Sequence, residues 1–388
     1  MRTTHQIYFE NSKNMRGIPS ESVDLVVTSP PYPMIEMWDE MFAGQNPLIR
    51  DALSKKQGSA AFELMHKELD PVWNEVHRIL KNGGNACINI GDATRTIDGN
   101  FALYENHSRI LTYMLEIGFS ALPQILWRKQ TNAPNKFMGS GMLPAGAYVT
   151  LEHEFILILR KGSMRVFKTA KEKQVRRESA FFWEERNVWF SDIWLDLKGT
   201  AQGLNYEQSR LRSAAYPFEL PYRLINMFSV KGDTVLDPFL GTGTTTLAAM
   251  AACRNSVGFE IEPNFQNPIV SQMDTIVPFS NEQIRNRINS HIDFAKDRFK
   301  TKGAFKHMNK HYGFPVVTNQ EKELLLNQLV STAQISDGVF EVSYSEKPQE
   351  EFCQDLGKFI IPQADKPTSK RPLSKTAIDK AAQLTLSD

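Results

Sequence analysis

The sequence is poor in cysteine and has no long apolar run. Its 388 residues include three cysteines, which are too few and too scattered for a disulfide framework. No cysteines and histidines share the spacing of a zinc site, so we predict no metal centre. No apolar stretch is long enough to span a bilayer, and the first residues lead into a strand-like segment at 6–9 without a signal peptide. We therefore expect a cytoplasmic protein that has no membrane partner.

Net charge is also nearly absent, at +1 with histidine counted as neutral. A charged partner must therefore be met by a local patch of the surface rather than by the whole molecule. Because 41% of the residues are hydrophobic, a chain of this length supports one large core with one or two smaller pieces attached.

Buried-strand patterns alternate with amphipathic helices along most of the chain. Apolar residues recur at helical spacing from 61 to 80 and again from 107 to 117. Strands that alternate with helices predict an α/β fold, with a mainly parallel twisted sheet and helices on both of its faces. The apolar, partly β-branched runs that predict buried strands are 23–28, 86–90, 154–159 and 234–236.

The pattern changes beyond about residue 268. We predict helices at 281–300 and 319–332 and a strand at 338–344. The last residues, 346–388, are rich in Lys, Pro, Gln, Ser and Thr, which predicts a flexible tail.

Two prolines end the predicted strand 23–28 abruptly, in the stretch Ser29-Pro30-Pro31-Tyr32. The Ser29 hydroxyl and the Pro30 carbonyl can both accept hydrogen bonds from one amino group, and Tyr32 offers a ring for a planar ligand. The alternative is a strand stopped by a proline turn with a packed tyrosine.

A second stretch, residues 237–245, joins the predicted strand 234–236 to a run of good helix formers. It begins with Asp237 and contains Gly241 and Gly243. A glycine-rich turn between a strand and a helix lets backbone N–H groups approach a ligand, although ordinary turns share this composition. In an open α/β sheet, ligands bind at the carboxyl ends of the strands, where both stretches are predicted to lie.

Together, these stretches resemble the catalytic and cofactor-binding motifs of DNA amino-methyltransferases, which use S-adenosylmethionine. The catalytic stretch comes first in the chain, which is similar to the permuted β group of that family and to its site-specific N4-cytosine members. The segment 212–220 resembles the one that precedes the cofactor motif. The resemblance covers roughly residues 6–265.

The resemblance implies a Rossmann-like methyltransferase fold with a permuted motif order and a set of cofactor contacts. Asp237 would face the charged methionine end of S-adenosylmethionine, and Glu260 would hold the ribose hydroxyls. Two segments depart from the family pattern, because Arg212-Ser213 stands where members often carry His-Pro and Glu10-Asn11 where many carry Gly-Asp. The implied cofactor-binding residues are Asp237, Pro238, Phe239, Gly241, Gly243, Thr244, Glu260, Pro217 and Phe218.

The implied reaction is direct, in-line methyl transfer to an exocyclic amine, with Ser29, Pro30, Pro31 and Tyr32 as catalytic residues. The target base would be flipped out of the duplex and would stack on Tyr32. Serine at the first motif position resembles the cytosine branch, so N4-cytosine is the predicted target and N6-adenine the alternative. Methylation at a ring carbon needs a Pro-Cys pair, and no cysteine follows a proline.

Residues 160–212 combine basic and aromatic side chains, which is typical of nucleic-acid binding. We predict that this region recognises the target in double-stranded DNA, with a loop at 128–141 closing on the duplex. The alternative is a solvated charged face. The predicted DNA contacts are Lys136, Arg165, Lys168, Lys173, Arg176 and Arg177.

The predicted division of the chain has four parts. Residues 1–159 and 213–268 form the methyltransferase domain, 160–212 the recognition region, 269–345 a mostly helical accessory region and 346–388 the tail. The resemblance also implies a monomer or weak dimer that associates with the nucleoid through DNA and works beside a cognate restriction endonuclease.

Two other functions remain as alternatives at this point. An NAD-dependent oxidoreductase needs a GxGxxG turn after an early strand, and the turn that begins at Gly241 is late and lacks the third glycine. A non-catalytic DNA-binding protein is the other.

Overall fold

The computed structural model describes residues 1–129, 138–197 and 216–353. Its strands are β1 (Arg2–Tyr8), β2 (Val23–Thr28), β3 (Leu80–Ile90), β4 (Ala93–Ile97), β5 (Asn100–Tyr104), β6 (Phe119–Ala121), β7 (Ile125–Arg128), β8 (Met138–Gly139), β9 (Ala147–Tyr148), β10 (His153–Lys161), β11 (Ile193–Trp194), β12 (Thr234–Asp237), β13 (Asn255–Phe259), β14 (His307–Met308), β15 (Pro315–Val316), β16 (Leu329–Ser336) and β17 (Val339–Tyr344). Its α-helices are α1 (Asp39–Gln45), α2 (Pro47–Ser54), α3 (Gly58–Ile79), α4 (Asn106–Glu116), α5 (Ala170–Glu178), α6 (Trp183–Trp189), α7 (Glu219–Phe228), α8 (Thr244–Ala251), α9 (Gln266–Met273) and α10 (Ile276–Lys302).

One large mixed sheet runs through the molecule. Neighbouring strands follow the order β11-β7-β10-β3-β2-β12-β13-β1-β17-β16, with β6 paired to β10. The strands from β3 through β2, β12 and β13 to β1 are all parallel, whereas β10 runs antiparallel to β3 and β17 antiparallel to β1. This arrangement confirms the predicted α/β fold with a mainly parallel sheet.

Helices cover both faces of the sheet because its central strands are apolar on both sides. All six residues of β2 are buried, as expected for an inner parallel strand. Val26 and Ile88 pack in the cluster that contains α3 and α4. Val27 and Cys87 pack in the cluster that contains α7 and α8 on the other face. The buried Cys87 therefore serves as a small apolar side chain.

The chain after β13 holds more sheet than its sequence pattern predicts. The strand predicted at 338–344 is confirmed as β17, but the helix predicted over 319–332 is wrong. A short 3-10 helix at Asn319–Glu323 is followed by β16, which pairs with β17 and extends the central sheet beyond β1. Consecutive leucines at 324–326 are buried in one cluster with Tyr312 and Phe314, and this packing overrides the local helical pattern.

A buried ion pair attaches α6 and α7 to α10. Arg287 donates to both carboxylate oxygens of Glu185 at 2.6 and 2.8 Å and to the Tyr222 hydroxyl at 2.9 Å.

The domain boundaries at residues 160, 213 and 269 stay a prediction. No helix in the described ranges is long and apolar enough to cross a membrane.

Candidate active site

The two stretches singled out in the sequence lie side by side in the fold. β2 pairs with β12 in parallel, with Leu25 opposite Val235 and Val26 opposite Leu236. Both strands therefore end at the same edge of the sheet, which we call the carboxyl edge. Thr28, the last residue of β2, donates from Oγ1 to Asp237 Oδ1 at 2.6 Å. The structure thus brings Ser29 next to Asp237, although 208 positions separate them in the sequence.

An open cleft of about 1210 Å³, part of it open to solvent, lies at this junction. Most of the predicted site residues line the cleft, namely Ser29, Pro30, Pro31, Asp237, Pro238, Phe239, Gly241, Thr244 and Glu260. Gly243, Pro217, Phe218 and Tyr32 are not among the lining residues, and the rings of Phe218 and Tyr222 stack against each other.

The glycine-rich loop has the backbone that its composition predicts. Gly241 and Gly243 have φ angles of 56° and 89°, in the left-handed region that glycine adopts without strain. Gly243 is the N-cap residue of α8. The Gly241 N–H donates to Glu260 Oε2 at 2.8 Å, so the acid that follows β13 holds the loop in place.

The Asp237 carboxylate is 2% exposed and is held by four donors. Oδ1 accepts from Thr28 and from the Phe239 N–H at 3.0 Å, and Oδ2 accepts from Thr245 at 2.5 Å and Tyr216 at 3.2 Å. Burial raises the pKa of Asp237, and the hydrogen bonds from Thr245 and Thr28 oppose this rise. The sequence pattern predicted only a cofactor contact here, whereas the structure shows that Asp237 also ties β2 to β12 and α8.

Tyr32 is anchored beside the cleft by groups that the sequence pattern did not single out. Its hydroxyl donates to Glu154 Oε2 at 2.9 Å and lies 3.2 Å from Ser29 Oγ. Asn89 Nδ2 donates to the same hydroxyl at 2.9 Å and to Glu154 Oε2 at 2.7 Å. Lys129 Nζ donates to the other oxygen of Glu154, Oε1, at 2.9 Å. Burial, followed by the charge of Glu154, raises the pKa of Tyr32 well above its usual value.

Gly91, the residue that follows β3, also fits this arrangement. A Cβ built on Gly91 would lie 2.9 Å from the Tyr32 ring and 3.3 Å from Glu154 Cγ. Only glycine therefore leaves room for the ring at the end of β3. Asn89 lies within an apolar strand pattern and Glu154 at the start of another. A polar residue at such a position was the one sign in the sequence that these two side chains belong to the site.

A further wall of the cleft comes from residues that the sequence motifs do not include. They are Trp38, just before α1, and Met41, Phe42, Gln45, Glu68, Leu69 and Val72 of α1 and α3. Glu68 forms an ion pair with Lys13 and accepts from Asn46 Nδ2 at 2.9 Å. Asn11, in the segment that departs from the family pattern, lines the cleft as well.

The predicted DNA contacts in residues 160–212 lie away from this cleft. Arg165 donates to both oxygens of Asp233 at 2.6 and 3.0 Å and lies 3.8 Å from Asp24. Asp233 precedes β12 and Asp24 is near the start of β2, so Arg165 marks the opposite edge of the sheet, which we call the amino edge. Arg177 pairs with Glu323 at 2.9 Å.

The other predicted DNA contacts in residues 160–212 also lie away from the cleft. Lys168, Lys173 and Arg176 are exposed on α5 or just before it. The aromatic residues meant to interleave with them are partly core residues, since Phe182, Trp189 and Trp194 are buried. The structure therefore does not bring these cations to the cleft, and the aromatic content of this region reflects packing. Lys136 lies outside the described residues, as do residues 212–215.

This chain is similar to known proteins over most of its length. A profile of the family described as DNA methylase, N6_N4_Mtase, matches residues 23–272. The type II methyltransferase M.MthZI of Methanothermobacter thermautotrophicus is 51% identical over 347 residues, which are 89% of this chain and 96% of the relative. M.MjaI of Methanocaldococcus jannaschii, also a type II methyltransferase, is 50% identical over 281 residues, 70% of this chain and 91% of the relative.

A solved structure gives a similar result for the fold. It is that of a proposed DNA modification methylase of Thermus thermophilus, complexed with S-adenosyl-L-methionine. It superposes with a TM-score of 0.55 at 30% identity and covers 71% of this chain and 96% of that one. With both motifs at one cleft and these relatives spanning most of its length, the chain belongs to the DNA methylase family.

Proposed function

We propose that this protein is a site-specific DNA methyltransferase that transfers a methyl group from S-adenosylmethionine to the N4 amine of cytosine in duplex DNA. The observation that carries the proposal is the junction of Ser29 and Asp237 at the ends of two adjacent parallel strands. The Ser29 hydroxyl, which would accept from the target amine, follows β2 directly beside a glycine-rich loop at a helix N-terminus, and this supports the proposal.

The chain's own groups suit an amine nucleophile. The lone pair of an exocyclic amine is delocalised into the ring, which makes the amine a poor nucleophile. Ser29 Oγ and the Pro30 carbonyl, both at the cleft, would accept its two N–H groups and draw the nitrogen towards tetrahedral geometry, where the lone pair is localised. Such acceptors are preorganised by β2 and the two prolines, so that little rearrangement accompanies the reaction.

The cleft also suits the cofactor. S-adenosylmethionine supplies a methyl group that its sulfonium already activates. Glu260 is positioned to accept from the ribose hydroxyls, and Phe239 and Ile261 offer apolar surface for the adenine ring. Asn11 would contact the adenine edge. The Thermus relative complexed with this molecule supports the assignment.

Serine at position 29 favours cytosine over adenine, because a neutral hydroxyl at the first motif position resembles the cytosine branch. N6-adenine is the second candidate, and the family that matches this chain includes both N4 and N6 enzymes. The two relatives at about 50% identity are type II methyltransferases. This supports a role in a restriction–modification system beside a cognate endonuclease. The cytoplasmic location and the state of a monomer or weak dimer stay predictions.

DNA would reach the cleft from the carboxyl edge. The β4–β5 and β8–β9 hairpins border this edge and are joined by a stack of Phe101 on Tyr148, with ring centroids 4.5 Å apart. Arg128 and Lys129 follow at the end of β7, on the same edge. We therefore propose that this side carries the phosphate contacts.

The test is incubation of unmethylated bacterial genomic DNA with the protein and labelled S-adenosylmethionine, followed by hydrolysis and mass spectrometry of the nucleosides. N4-methylcytosine is the expected product. N6-methyladenine would establish the second candidate, and absence of both with cofactor bound would refute amino-methyl transfer. Binding of NAD in place of S-adenosylmethionine would indicate an oxidoreductase instead.

A further inference from the structure

Glu154 ends a chain of hydrogen bonds that begins at the catalytic stretch. It lies at the start of β10, is 9% exposed and accepts the Tyr32 hydroxyl proton at 2.9 Å. Lys129 donates to its other oxygen at 2.9 Å, as expected for an ionised carboxylate. An ionised carboxylate only accepts hydrogen bonds, so the proton of Tyr32 must point towards Glu154.

The direction of the hydrogen bond from Tyr32 to Glu154 determines the direction of the next one, between Tyr32 and Ser29. Tyr32 has one hydroxyl proton, and Glu154 uses it. Asn89 Nδ2 is a donor only, so it takes one acceptor position of the Tyr32 oxygen. The 3.2 Å contact between Ser29 Oγ and that oxygen is then a bond in which Ser29 donates. The lone pairs of Ser29 are left free to accept from a substrate.

We infer that Glu154 is a positioning residue, which acts through Tyr32 to make Ser29 an acceptor for the N–H of the target amine. This inference rests on the amino-methyl transfer proposed above, and it holds for cytosine and adenine alike. Nothing in it requires Glu154 to touch the DNA or the cofactor.

The substitution Glu154→Gln isolates the direction of the hydrogen bonds from packing. The amide has nearly the size of the carboxylate, but its nitrogen donates. Lys129 would hold the amide oxygen, so that nitrogen would face both Asn89 Nδ2 and the Tyr32 oxygen. It would donate to the Tyr32 oxygen, and the Tyr32 proton would turn towards Ser29. Ser29 would then accept from Tyr32 and direct its own proton at the target amine. The Ser29 hydroxyl and the N–H groups of the amine would both be donors, so no hydrogen bond could form between them. Tyr32→Phe removes the hydroxyl and keeps a ring for base stacking.

The experiment measures kcat and KM for labelled methyl transfer to unmethylated genomic DNA with Glu154→Gln, Tyr32→Phe and the double variant. We expect Glu154→Gln to lower kcat by about tenfold or more, with KM for S-adenosylmethionine unchanged because the cofactor is not contacted. In the Tyr32→Phe background, Glu154→Gln should add no further loss, because its effect passes through the missing hydroxyl.

Glu75→Gln is the matched control. Glu75 is a partly buried acid of α3 that pairs with Arg78 at 2.7 Å and does not line the cleft. It should leave kcat unchanged. Calorimetric titration with S-adenosylmethionine and a thermal melt would show that each variant is folded. Should Glu154→Gln not fold, Lys129→Gln tests the same chain, because it frees the carboxylate from its orientation; its loss of kcat should also vanish in the Tyr32→Phe background.

Three results would overturn the inference: a wild-type kcat for Glu154→Gln, an equal loss with and without the Tyr32 hydroxyl, or a loss that follows cofactor affinity. Failure of the proposed function itself has a different signature. In that case, the wild-type protein would transfer no label to DNA at all.

Discussion

The two edges of the sheet carry polar side chains in different ways. At the carboxyl edge, Ser29 and Asp237 line an open cleft with Tyr32 beside it, and hydrogen bonds around these residues join β2, β3, β10 and β12. At the amino edge, Arg165 forms ion pairs with two acids of the protein itself, Asp233 and Asp24. A basic side chain in the sequence therefore does not by itself indicate a DNA-binding surface. Its position relative to the cleft must be known as well, because Arg128 and Lys129 at the carboxyl edge also pair with acids of the protein.

The largest expected effect is that of Ser29→Ala at the carboxyl edge. Removing the acceptor for the target amine should lower kcat by about 10²–10³-fold, the range found when one preorganised hydrogen-bonding group is removed from an active site. The affinity for S-adenosylmethionine should stay the same in a calorimetric titration. An unchanged kcat would mean that Ser29 is not the acceptor.

Asp237→Ala should affect both stability and activity. The substitution leaves four buried donors without their shared acceptor, so we expect the free energy of unfolding to fall by about 3 kcal/mol in a urea titration. Methyl transfer should fall as well, because Thr28 no longer aligns β2 with β12. Asp51→Ala, which removes an exposed ion pair with Lys55, is the control and should change stability by less than about 0.5 kcal/mol.

Arg165→Met tests the amino edge. It leaves the buried Asp233 without its bidentate partner, so we expect a loss of about 1–3 kcal/mol in the free energy of unfolding. The kcat for methyl transfer should be unchanged. The opposite pattern, weaker DNA binding at full stability, would return Arg165 to the set of DNA contacts.

The smallest effect is expected for the double variant Lys173→Ala and Arg176→Ala on the exposed side of α5. The salt dependence of DNA binding should keep its slope. Each lost phosphate contact would reduce the magnitude of the slope of log K against log salt by about 0.9. A reduction near 1.8 would show that α5 faces DNA and that the contrast between the edges is wrong.

The sequence predicted those parts of the site that depend on strand ends. Ser29 and Asp237 each follow a recognisable buried strand, and parallel strands end at one edge, so their meeting was predictable without the register. Asn89 and Glu154 were not predictable in the same way. Their contact depends on the antiparallel pairing of β10 with β3, which local patterns do not specify.

Two other features show the same dependence on the fold. Arg165 and Asp233 are 68 residues apart, and the basic pattern around Arg165 is compatible with either a solvated face or a DNA contact. Residues 319–332 contain helix-forming side chains. However, the leucines at 324–326 pack in a core cluster with Tyr312 and Phe314, and β16 pairs with β17. In both cases, tertiary contacts decided what the local sequence left open.

We propose that the cleft between β2 and β12 methylates the exocyclic amine of cytosine. Mass spectrometry of nucleosides tests this proposal, with unmethylated DNA treated with the wild-type protein and, in parallel, with Ser29→Ala. We expect N4-methylcytosine from the wild-type protein and at most about a hundredth as much from the variant in the same time. Equal amounts of product from both proteins, or a product methylated at a ring carbon, would contradict it.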